Sequence, residues 1–268
     1  MTDTATCHVW QAEEYHQHSS AQRDAASQLL HHINLLGNER ILDIGCGDGK
    51  ISAAIASYVQ AGSILGIDVS SEMIEFARKK FPKERYTNLT FLLQDASQLH
   101  YNGEFNVIFS SFALQWVLDH NAFLKSAYNS LTSLGYFVAT IPLGVSLALE
   151  QSISEVLSIP KWAPHFLNFV QHWRFTSQSE FADLLTLNQL VPVRIETVDQ
   201  EVIFPSRETF EKYVLQWFAY LRPLPEPLKP IFFKQIIDRY FEIEPMLENC
   251  EVRFVFPRLD VIARKSNL

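Results

Sequence analysis

The sequence predicts an α/β fold, with a doubly wound, mostly parallel sheet of seven strands and a helical lid. Two observations lead to this prediction. Residues 40–50 combine a hydrophobic run with glycines at every second position, Gly45, Gly47 and Gly49, and an amphipathic helix pattern follows. From there to Pro142, strand patterns and helix patterns alternate. Such alternation is typical of a parallel sheet with helices on both faces.

The elements are predicted in order along the chain. A first helix covers residues 20–36, where Ala26, Leu29 and Ile33 recur at helical spacing and Gly37 supplies a stop. The predicted strands of the alternating part are residues 39–45, 63–69, 89–94, 105–110 and 136–141, and the predicted helices are residues 49–60, about 71–80 and 119–131.

The alternation stops after Pro142. Residues 145–190 look helical and are rich in aromatic side chains. Strand 192–204, helices 206–221 and 226–243, and a last strand 250–265, antiparallel to strand 192–204, complete the chain. We therefore divide it into a core at residues 1–142 that includes the N-terminal helix, a helical lid with one strand at residues 143–250, and a last sheet strand at residues 251–268. The lid is expected over the carboxyl ends of the strands.

Composition limits the possible functions. The chain has 268 residues, 47% of them hydrophobic, which is enough for a sizeable core. The net charge of −8 argues against duplex nucleic acid as a partner. Cys7, Cys46 and Cys250 have neither disulfide nor zinc spacing, so no metal is expected. The sequence shows no signal peptide and no apolar stretch long enough to span a membrane, so we expect a cytoplasmic protein without a membrane partner.

The spacing of the glycines separates two cofactor classes. A dinucleotide fingerprint needs a third small residue three positions after Gly47, and this position is Lys50. The turn instead has an acid, Asp43, two residues before its first glycine. A second predicted strand ends in Asp68, and an acid about 20 residues after such a turn can accept hydrogen bonds from both ribose hydroxyls.

A later segment makes the pattern more specific. Residues 109–116 read Phe-Ser-Ser-Phe-Ala-Leu-Gln-Trp, and Asp119 and His120 follow. Together with the glycine turn, this segment resembles class I S-adenosylmethionine-dependent methyltransferases. The similar subgroup includes the trans-aconitate methyltransferases and the malonyl-carrier-protein methyltransferases of biotin synthesis, which esterify carboxylic acids. The resemblance is clear over residues 37–142, weaker over residues 15–30, and returns at residues 256–259.

The resemblance implies a Rossmann-like methyltransferase fold and S-adenosylmethionine as cofactor, with S-adenosylhomocysteine as its product. Carried over by position, the cofactor-binding residues are Tyr15, His18, Asp43, Gly45, Gly47, Gly49, Asp68, Val69, Met73, Asp95, Ala96, Ser110 and Ser111. Asp43 would orient the amino group of the cofactor directly or through water, Asp68 would hold the ribose, and Asp95 would accept from the adenine amino group. Gln115 and Trp116 would face the transferred methyl group as catalytic residues.

The methyl acceptor is less constrained by the sequence. A carboxylate is ionised at pH 7 and needs no general base, but it does need a clamp, for which arginine is well shaped. The candidates for substrate binding are Trp173, Arg174, Tyr213, Arg222 and Arg258. If a base is needed, His165, His172 and Tyr213 are the first to consider, and His120 is interpreted as a helix-start residue.

Three functions remain open at this point. The first is O-methylation of the carboxylate of a small acid or a carrier-bound acyl group. The second is N-, C- or phenol O-methylation of a small metabolite. The third is a non-catalytic cofactor-binding partner subunit, which should expose a large apolar patch. The expected partner is a small-molecule or carrier-protein-bound substrate, and the expected assembly is a monomer or homodimer.

Overall fold

The computed structural model describes residues 26, 28–171 and 173–266. Its seven strands form one sheet in the order β3-β2-β1-β4-β5-β7-β6. The strands are β1 (Arg40–Ile44), β2 (Ser63–Asp68), β3 (Leu89–Leu93), β4 (Phe105–Ser111), β5 (Leu131–Pro142), β6 (Leu190–Phe204) and β7 (Val252–Lys265). The helices are α1 (Lys50–Tyr58), α2 (Ser71–Lys80), α3 (His120–Ser130), α4 (Leu147–Leu157), α5 (Gln178–Leu187), α6 (Arg207–Leu215) and α7 (Lys229–Ile243).

The direction of the strands confirms the predicted fold class. β1 to β5 pair in parallel, and β7 runs antiparallel to β5. Parallel strands need long crossovers; the predicted helices α1, α2 and α3 supply three of them, and the crossover from β3 to β4 contains the short 3-10 helix Ala96–Gln98. The sheet separates two clusters of buried apolar side chains, one containing Leu42 and Ile108 and the other Ile41 and Val107. Neighbouring residues of one strand therefore enter opposite clusters, which explains why these strands read as unbroken hydrophobic runs.

Several predicted boundaries were wrong. β5 starts at Leu131 and not at residue 136, because Leu134 adopts a left-handed φ of 61° and the strand continues through this irregularity. The region predicted as helical over residues 145–190 contains α4 and α5, with a short 3-10 helix at Ala163–Phe166. The predicted helix 206–221 ends at Leu215, and a 3-10 turn follows at Ala219–Leu221. At the start of the chain, the described helical residues end at Leu30, before Gly37.

The chain divides into two compact units. The first comprises the described residues up to Leu143, residues 173–198 and the residues from Arg258 onward. The second comprises residues 144–172 and 199–257.

The second unit has an aromatic core of its own. The rings of Trp162 and Phe232 meet edge to face at 5.0 Å, and Phe210 stacks on Tyr240 at 4.9 Å. The indole of Trp162 donates to Gln235 Oε1 at 2.6 Å, so its polar atom is satisfied inside the core. These aromatic side chains therefore form a packed interior for this unit.

Candidate functional site

The register of the parallel strands brings distant residues to one edge of the sheet. Ile44 at the end of β1 lies opposite Ile67 of β2 and Ser110 of β4. The glycine turn, Asp68 and the end of β4 therefore meet where the parallel strands end, and we call this edge the carboxyl edge. Open α/β sheets bind their ligands at this edge. The residues that meet here all belong to the first unit.

The glycine turn needs its glycines for conformation and for space. Gly45, Gly47 and Gly49 have φ values of 69°, 53° and 78°, in the left-handed region that L side chains rarely occupy. A Cβ at Gly45 would lie 2.2 Å from the Cβ of Ala113, and one at Gly49 would lie 2.5 Å from the ring of Phe91. The turn thus brings bare backbone to the edge, as a closely approaching ligand requires.

Asp68 links the turn to the next helix. Its Oδ2 accepts a hydrogen bond from the Gly47 amide at 2.9 Å, and its Oδ1 accepts one from the Ser70 amide at 2.9 Å. Burial raises the pKa of Asp68, and these backbone donors oppose the effect. A carboxylate can accept about four hydrogen bonds, so Asp68 can also accept donors of a ligand.

Asp43 lies beneath the turn with almost no exposure. Its side chain is 2% exposed and accepts a hydrogen bond from Ser52 Oγ on α1 at 2.5 Å. Burial raises its pKa to about 7, the Ser52 bond opposes the rise, and the nearby carboxylates of Asp68 and Asp48 add to it. An acid of this kind responds strongly to a cation placed beside it.

The predicted adenine side of the site is also brought to the carboxyl edge. Val69 follows β2 and is exposed, whereas Met73 is buried in α2. Asp95 follows β3 and begins the short 3-10 helix Ala96–Gln98, where its Oδ1 accepts from the Ser97 amide at 2.8 Å.

The two serines at the end of β4 are engaged within the sheet. Ser110 Oγ donates to the Ile44 carbonyl at 3.0 Å, and Ser111 Oγ lies 3.1 Å from Thr140 Oγ1 of β5. Both serines are buried. They hold β4 against its two neighbours at the carboxyl edge.

A short 3-10 turn, Leu114–Trp116, follows β4 and is stabilised by residues far along the chain. The amide of Arg174 donates to the Gln115 carbonyl at 2.8 Å, and the Trp116 and Trp173 rings meet edge to face at 5.5 Å. Arg174 also donates from Nη1 to the Leu118 carbonyl at 3.1 Å. Four of the predicted site residues, Gln115, Trp116, Trp173 and Arg174, are thus brought together.

His120 supports this turn from behind. It is the first residue of α3 and is fully buried. Its Nε2 lies 2.8 Å from the Leu114 carbonyl, and its Nδ1 lies 3.0 Å from Thr176 Oγ1. A carbonyl can only accept, so we assign the proton to Nε2, and Nδ1 accepts from Thr176. Burial lowers the pKa of His120. With both nitrogens engaged, this ring holds the turn and is not placed to act as a base.

Arg258 is paired inside the sheet. Its Nε and Nη2 bond both oxygens of Asp260 at 2.9 and 3.0 Å, and Nη2 also reaches Gln28 Oε1 at 3.1 Å. The two side chains of the pair are 3% and 6% exposed. A ligand carboxylate would therefore have to compete with a buried, bidentate partner.

The remaining described candidates belong to the second unit. Tyr213 lies in the core of the second unit, where burial raises its pKa. Arg222 follows a 3-10 turn of the same unit, and His165 lies in its 3-10 helix Ala163–Phe166. The predicted residues Tyr15, His18 and His172 fall outside the described residues.

Sequence reasoning missed four residues of this site: Ser52, Thr176, Asp260, and Glu180, whose Oε1 accepts from Arg174 Nη2 at 2.8 Å. Asp260 carried a signal, because an acid in the otherwise apolar stretch 259–263, two residues from Arg258, indicates a paired charge. Ser52, Thr176 and Glu180 carried none, since their roles depend on contacts between separate elements.

A cavity lies at the opposite edge of the sheet. This cleft, of about 270 Å³, is lined by residues such as Glu39, Asn106 and Tyr136. It lies near the starts of β1 and β4, away from the glycine turn. In the part of the chain that the structure describes, no helix is long and apolar enough to cross a membrane, and no group of three metal-ligating His, Cys, Asp or Glu side chains occurs.

The sheet order, the antiparallel last strand and the glycine turn at the carboxyl edge define a class I methyltransferase fold. Comparison with known families agrees: a methyltransferase domain model matches residues 35–171. The chain belongs to this family and is an S-adenosylmethionine-dependent methyltransferase. The recognition made from the glycine turn and the Gln115-Trp116 segment is thereby confirmed.

Relatives match over most of the chain. The trans-aconitate 2-methyltransferase of Methylobacterium radiotolerans is 25% identical over 264 residues, which cover 96% of this chain and 99% of the relative. Protein 235L of Invertebrate iridescent virus 6, whose name assigns it provisionally to the methyltransferases, is 24% identical over 90% of this chain and 89% of its own length.

Solved structures share the fold at lower identity. The YcgJ protein of Bacillus subtilis superposes with a TM-score of 0.63 at 17% identity, covering 91% of this chain and 99% of its own. The geranyl diphosphate C-methyltransferase of Streptomyces coelicolor, solved with S-adenosylhomocysteine, gives a TM-score of 0.56 at 15% identity over 94% of this chain and 82% of that one.

Proposed function

We propose that this enzyme transfers the methyl group of S-adenosylmethionine to the carboxylate of a small acid or a carrier-bound acyl group. The cofactor would lie on the glycine turn, with its ribose on Asp68, its amino group near Asp43 and its adenine near Val69, Met73 and Asp95. The residues present fit such a ligand, because the turn offers bare backbone beside a carboxylate that can accept further donors. The structural neighbour solved with S-adenosylhomocysteine supports this choice.

The cofactor supplies an activated methyl group, and the protein supplies orientation, electrostatics and exclusion of water. In-line alignment of bound reactants can contribute on the order of 7–11 kcal/mol. Gln115 and Trp116 lie in the turn after β4 and would align the acceptor with the methyl group. Ser110 and Ser111 would form the floor beneath the reacting sulfur.

The single observation that carries the choice of acceptor is the position of Arg174. Its backbone amide is bonded to Gln115 and its guanidinium donates to the Leu118 carbonyl, so Arg174 is held to the segment that follows β4. Its present partner, Glu180, is bonded at 2.8 Å, and the two side chains are 40% and 47% exposed. Pairs with this exposure contribute only about 0–1 kcal/mol, so a ligand carboxylate can take the place of Glu180 at little cost.

The same region favours an acceptor that needs no base. His120 contacts the turn, and both of its nitrogens are already bonded. An acid is ionised at neutral pH without help, whereas a phenol or a protonated amine must first lose a proton. The relatives that methylate trans-aconitate support the same class of acceptor.

The acceptor class can be tested by incubating the enzyme with methyl-labelled S-adenosylmethionine and a panel of free acids, carrier-protein thioesters, amines and phenols. The products are then treated with mild alkali. Label in a methyl ester is released as volatile methanol, and N-, C- and phenolic O-methyl label is retained. Release of the label supports the proposal, and retained label would exclude a carboxylate acceptor.

Arg174→Gln tests the clamp in the same assay. The substitution should raise KM for the acid about 10-fold or more, with a smaller change in kcat, because it removes a charge that binds the substrate in the ground state and in the transition state alike. Arg253→Gln is a matched control, since Arg253 forms a similarly exposed pair with Glu201 in the second unit. Equal KM values for the Arg174→Gln variant and the wild-type enzyme would exclude Arg174 as the clamp.

A further inference from the structure

The side-chain amide of Gln115 forms a hydrogen bond through its nitrogen but not through its oxygen. Its Nε2 donates to the Phe112 carbonyl at 2.8 Å. Because a carbonyl can only accept, this contact fixes the orientation of the amide, and Oε1 must face the other way. Gln115 is only 9% exposed, and its Oε1 has no hydrogen-bond partner among the residues described.

A buried amide oxygen without a donor is unfavourable, because it has lost water and gained nothing in exchange. Such an atom in the middle of a candidate site points to a ligand that brings a donor. The same residue accepts the Arg174 amide through its own carbonyl. This hydrogen bond joins the backbone of Gln115 to that of Arg174, the proposed carboxylate clamp.

The donors of the cofactor have better partners elsewhere. Three carboxylates, Asp43, Asp48 and Asp68, surround the glycine turn, and their charges influence one another. A cationic amino group forms stronger hydrogen bonds with a carboxylate than with a neutral amide. The neutral oxygen of Gln115 is better matched to a neutral donor, which the methyl acceptor can supply.

We propose that Gln115 selects methyl acceptors that carry a hydroxyl or N–H group close to the reacting carboxylate, such as hydroxy acids or N-acylamino acids. The inference rests on the proposed carboxyl methylation and narrows its substrate class. The donor of the substrate bonds Oε1 of Gln115 while its carboxylate is held at Arg174. An analogue without the donor leaves the oxygen buried and unpaired, and sites built for a hydrogen bond reject such analogues strongly.

The test compares matched acids on two enzymes. Each 3-hydroxy acid of a chain-length series is paired with its 3-fluoro and 3-methoxy analogues, which lack the donor, and alkali-labile methyl ester is measured. For the wild-type enzyme, kcat/KM should favour the hydroxy acid by about 10-fold or more. Gln115→Met, which has a similar shape and no acceptor, should reduce this preference to about 2-fold or less. The ratio within one variant is independent of how much of that variant is folded.

Gln94→Met is the matched control. Gln94 follows β3 near the same edge, but its Oε1 already accepts from the Tyr101 hydroxyl at 2.7 Å, so this variant should keep the wild-type preference. If Gln115→Met turns over no acid, calorimetric competition between the paired acids on enzyme saturated with S-adenosylhomocysteine gives the same ratio from binding.

Two results would overturn this inference and leave the proposed function standing. The first is that methyl esters form without a preference for the hydroxy acid over its analogues, and the second is that this preference survives in Gln115→Met. A roughly 10-fold loss of S-adenosylhomocysteine affinity in Gln115→Met, with the acid ratio unchanged, would assign Oε1 to the cofactor and overturn it as well. If no acid yields an alkali-labile product, the proposed function fails and this inference fails with it.

Discussion

Replacing Asp43 by asparagine should make the protein more stable at neutral and alkaline pH. The pKa of about 7, against an ordinary value of 3.8, means that ionising this buried carboxyl is unfavourable in the folded state. Each pH unit corresponds to 1.36 kcal/mol, so the penalty approaches about 4 kcal/mol above pH 7. Asparagine cannot ionise, and its amide oxygen can still accept from Ser52.

The sign follows from proton binding. Below about pH 4 both the folded and the unfolded chain hold the proton of Asp43. Between pH 4 and 7 the folded state keeps the proton and the unfolded state loses it, so stability falls as pH rises. Above pH 7 both states are ionised and the full penalty remains. In Asp43→Asn this contribution is absent at every pH.

Urea unfolding at pH 5 and pH 8 measures the effect. The free energy of unfolding of Asp43→Asn relative to the wild-type protein should increase by about 2–3 kcal/mol between these values. The buried N–H groups of asparagine add a constant penalty of about 1–3 kcal/mol, which cancels in this comparison. Asp95→Asn, which changes an exposed carboxylate of the same edge, should show little change with pH. If the free energy of unfolding of Asp43→Asn relative to the wild-type protein stays constant or decreases from pH 5 to pH 8, the reasoning is refuted.

The same carboxyl should link cofactor binding to protons. If the amino group of the cofactor lies beside Asp43, it favours the ionised form, and binding near pH 6.5 releases a proton. Calorimetry in buffers of different ionisation enthalpy detects this release. The release should disappear in Asp43→Asn. Identical proton release by the variant and the wild-type protein would show that Asp43 does not lie beside the amino group of the cofactor.

Three further predictions concern stability and are measured by denaturant unfolding. Gly45→Ala should be several kcal/mol more destabilising than Gly103→Ala, because both positions have positive φ but only a Cβ at position 45 meets a side chain, at 2.2 Å; equal losses would contradict the predicted clash. Asp260→Ala should cost about 3–5 kcal/mol by removing the bidentate carboxylate partner of a buried guanidinium, whereas Glu201→Ala breaks a half-exposed pair and should cost under about 1 kcal/mol. Losses of similar size would show that burial does not decide the value of these pairs. His120→Leu should cost about 1–3 kcal/mol by leaving a buried carbonyl and hydroxyl without their partner and should slow methyl transfer; a fully stable and fully active variant would remove its supporting role.

The part of the fold that could be predicted from sequence is the part where local chemistry determines the structure. Gly45 and Gly49 are required by positive φ and by close neighbours, and both requirements leave glycine as the residue that fits. Asp68 was predicted from its place at a strand end, and the structure adds that it braces Gly47, a bond that sequence spacing does not reveal.

Prediction failed where regular patterns are interrupted by backbone features. The left-handed Leu134 lies inside β5 and has no sequence signal, since leucine rarely adopts this conformation. Between α4 and α5, aromatic residues recur at helical spacing, and Pro160 and Pro164 interrupt any continuous helix. Apolar periodicity alone overestimated the helical content there.

The acceptor side of the site could not be predicted because it depends on how deeply each charged pair is buried, which the sequence does not show. Three arginines, Arg174, Arg222 and Arg258, looked equally suited to hold a carboxylate, and two of them lie in the first unit. The structure gives Arg258 a buried, bidentate partner and gives Arg174 a partner that is about half exposed. At Arg174, the proposed substrate carboxylate would replace one half-solvated carboxylate by another, so the net cost would be small. At Arg258, the same exchange would leave Asp260 buried and unpaired, which costs several kcal/mol. Burial of the existing partner, and not the identity of the cation, therefore decides which arginine is available to a substrate.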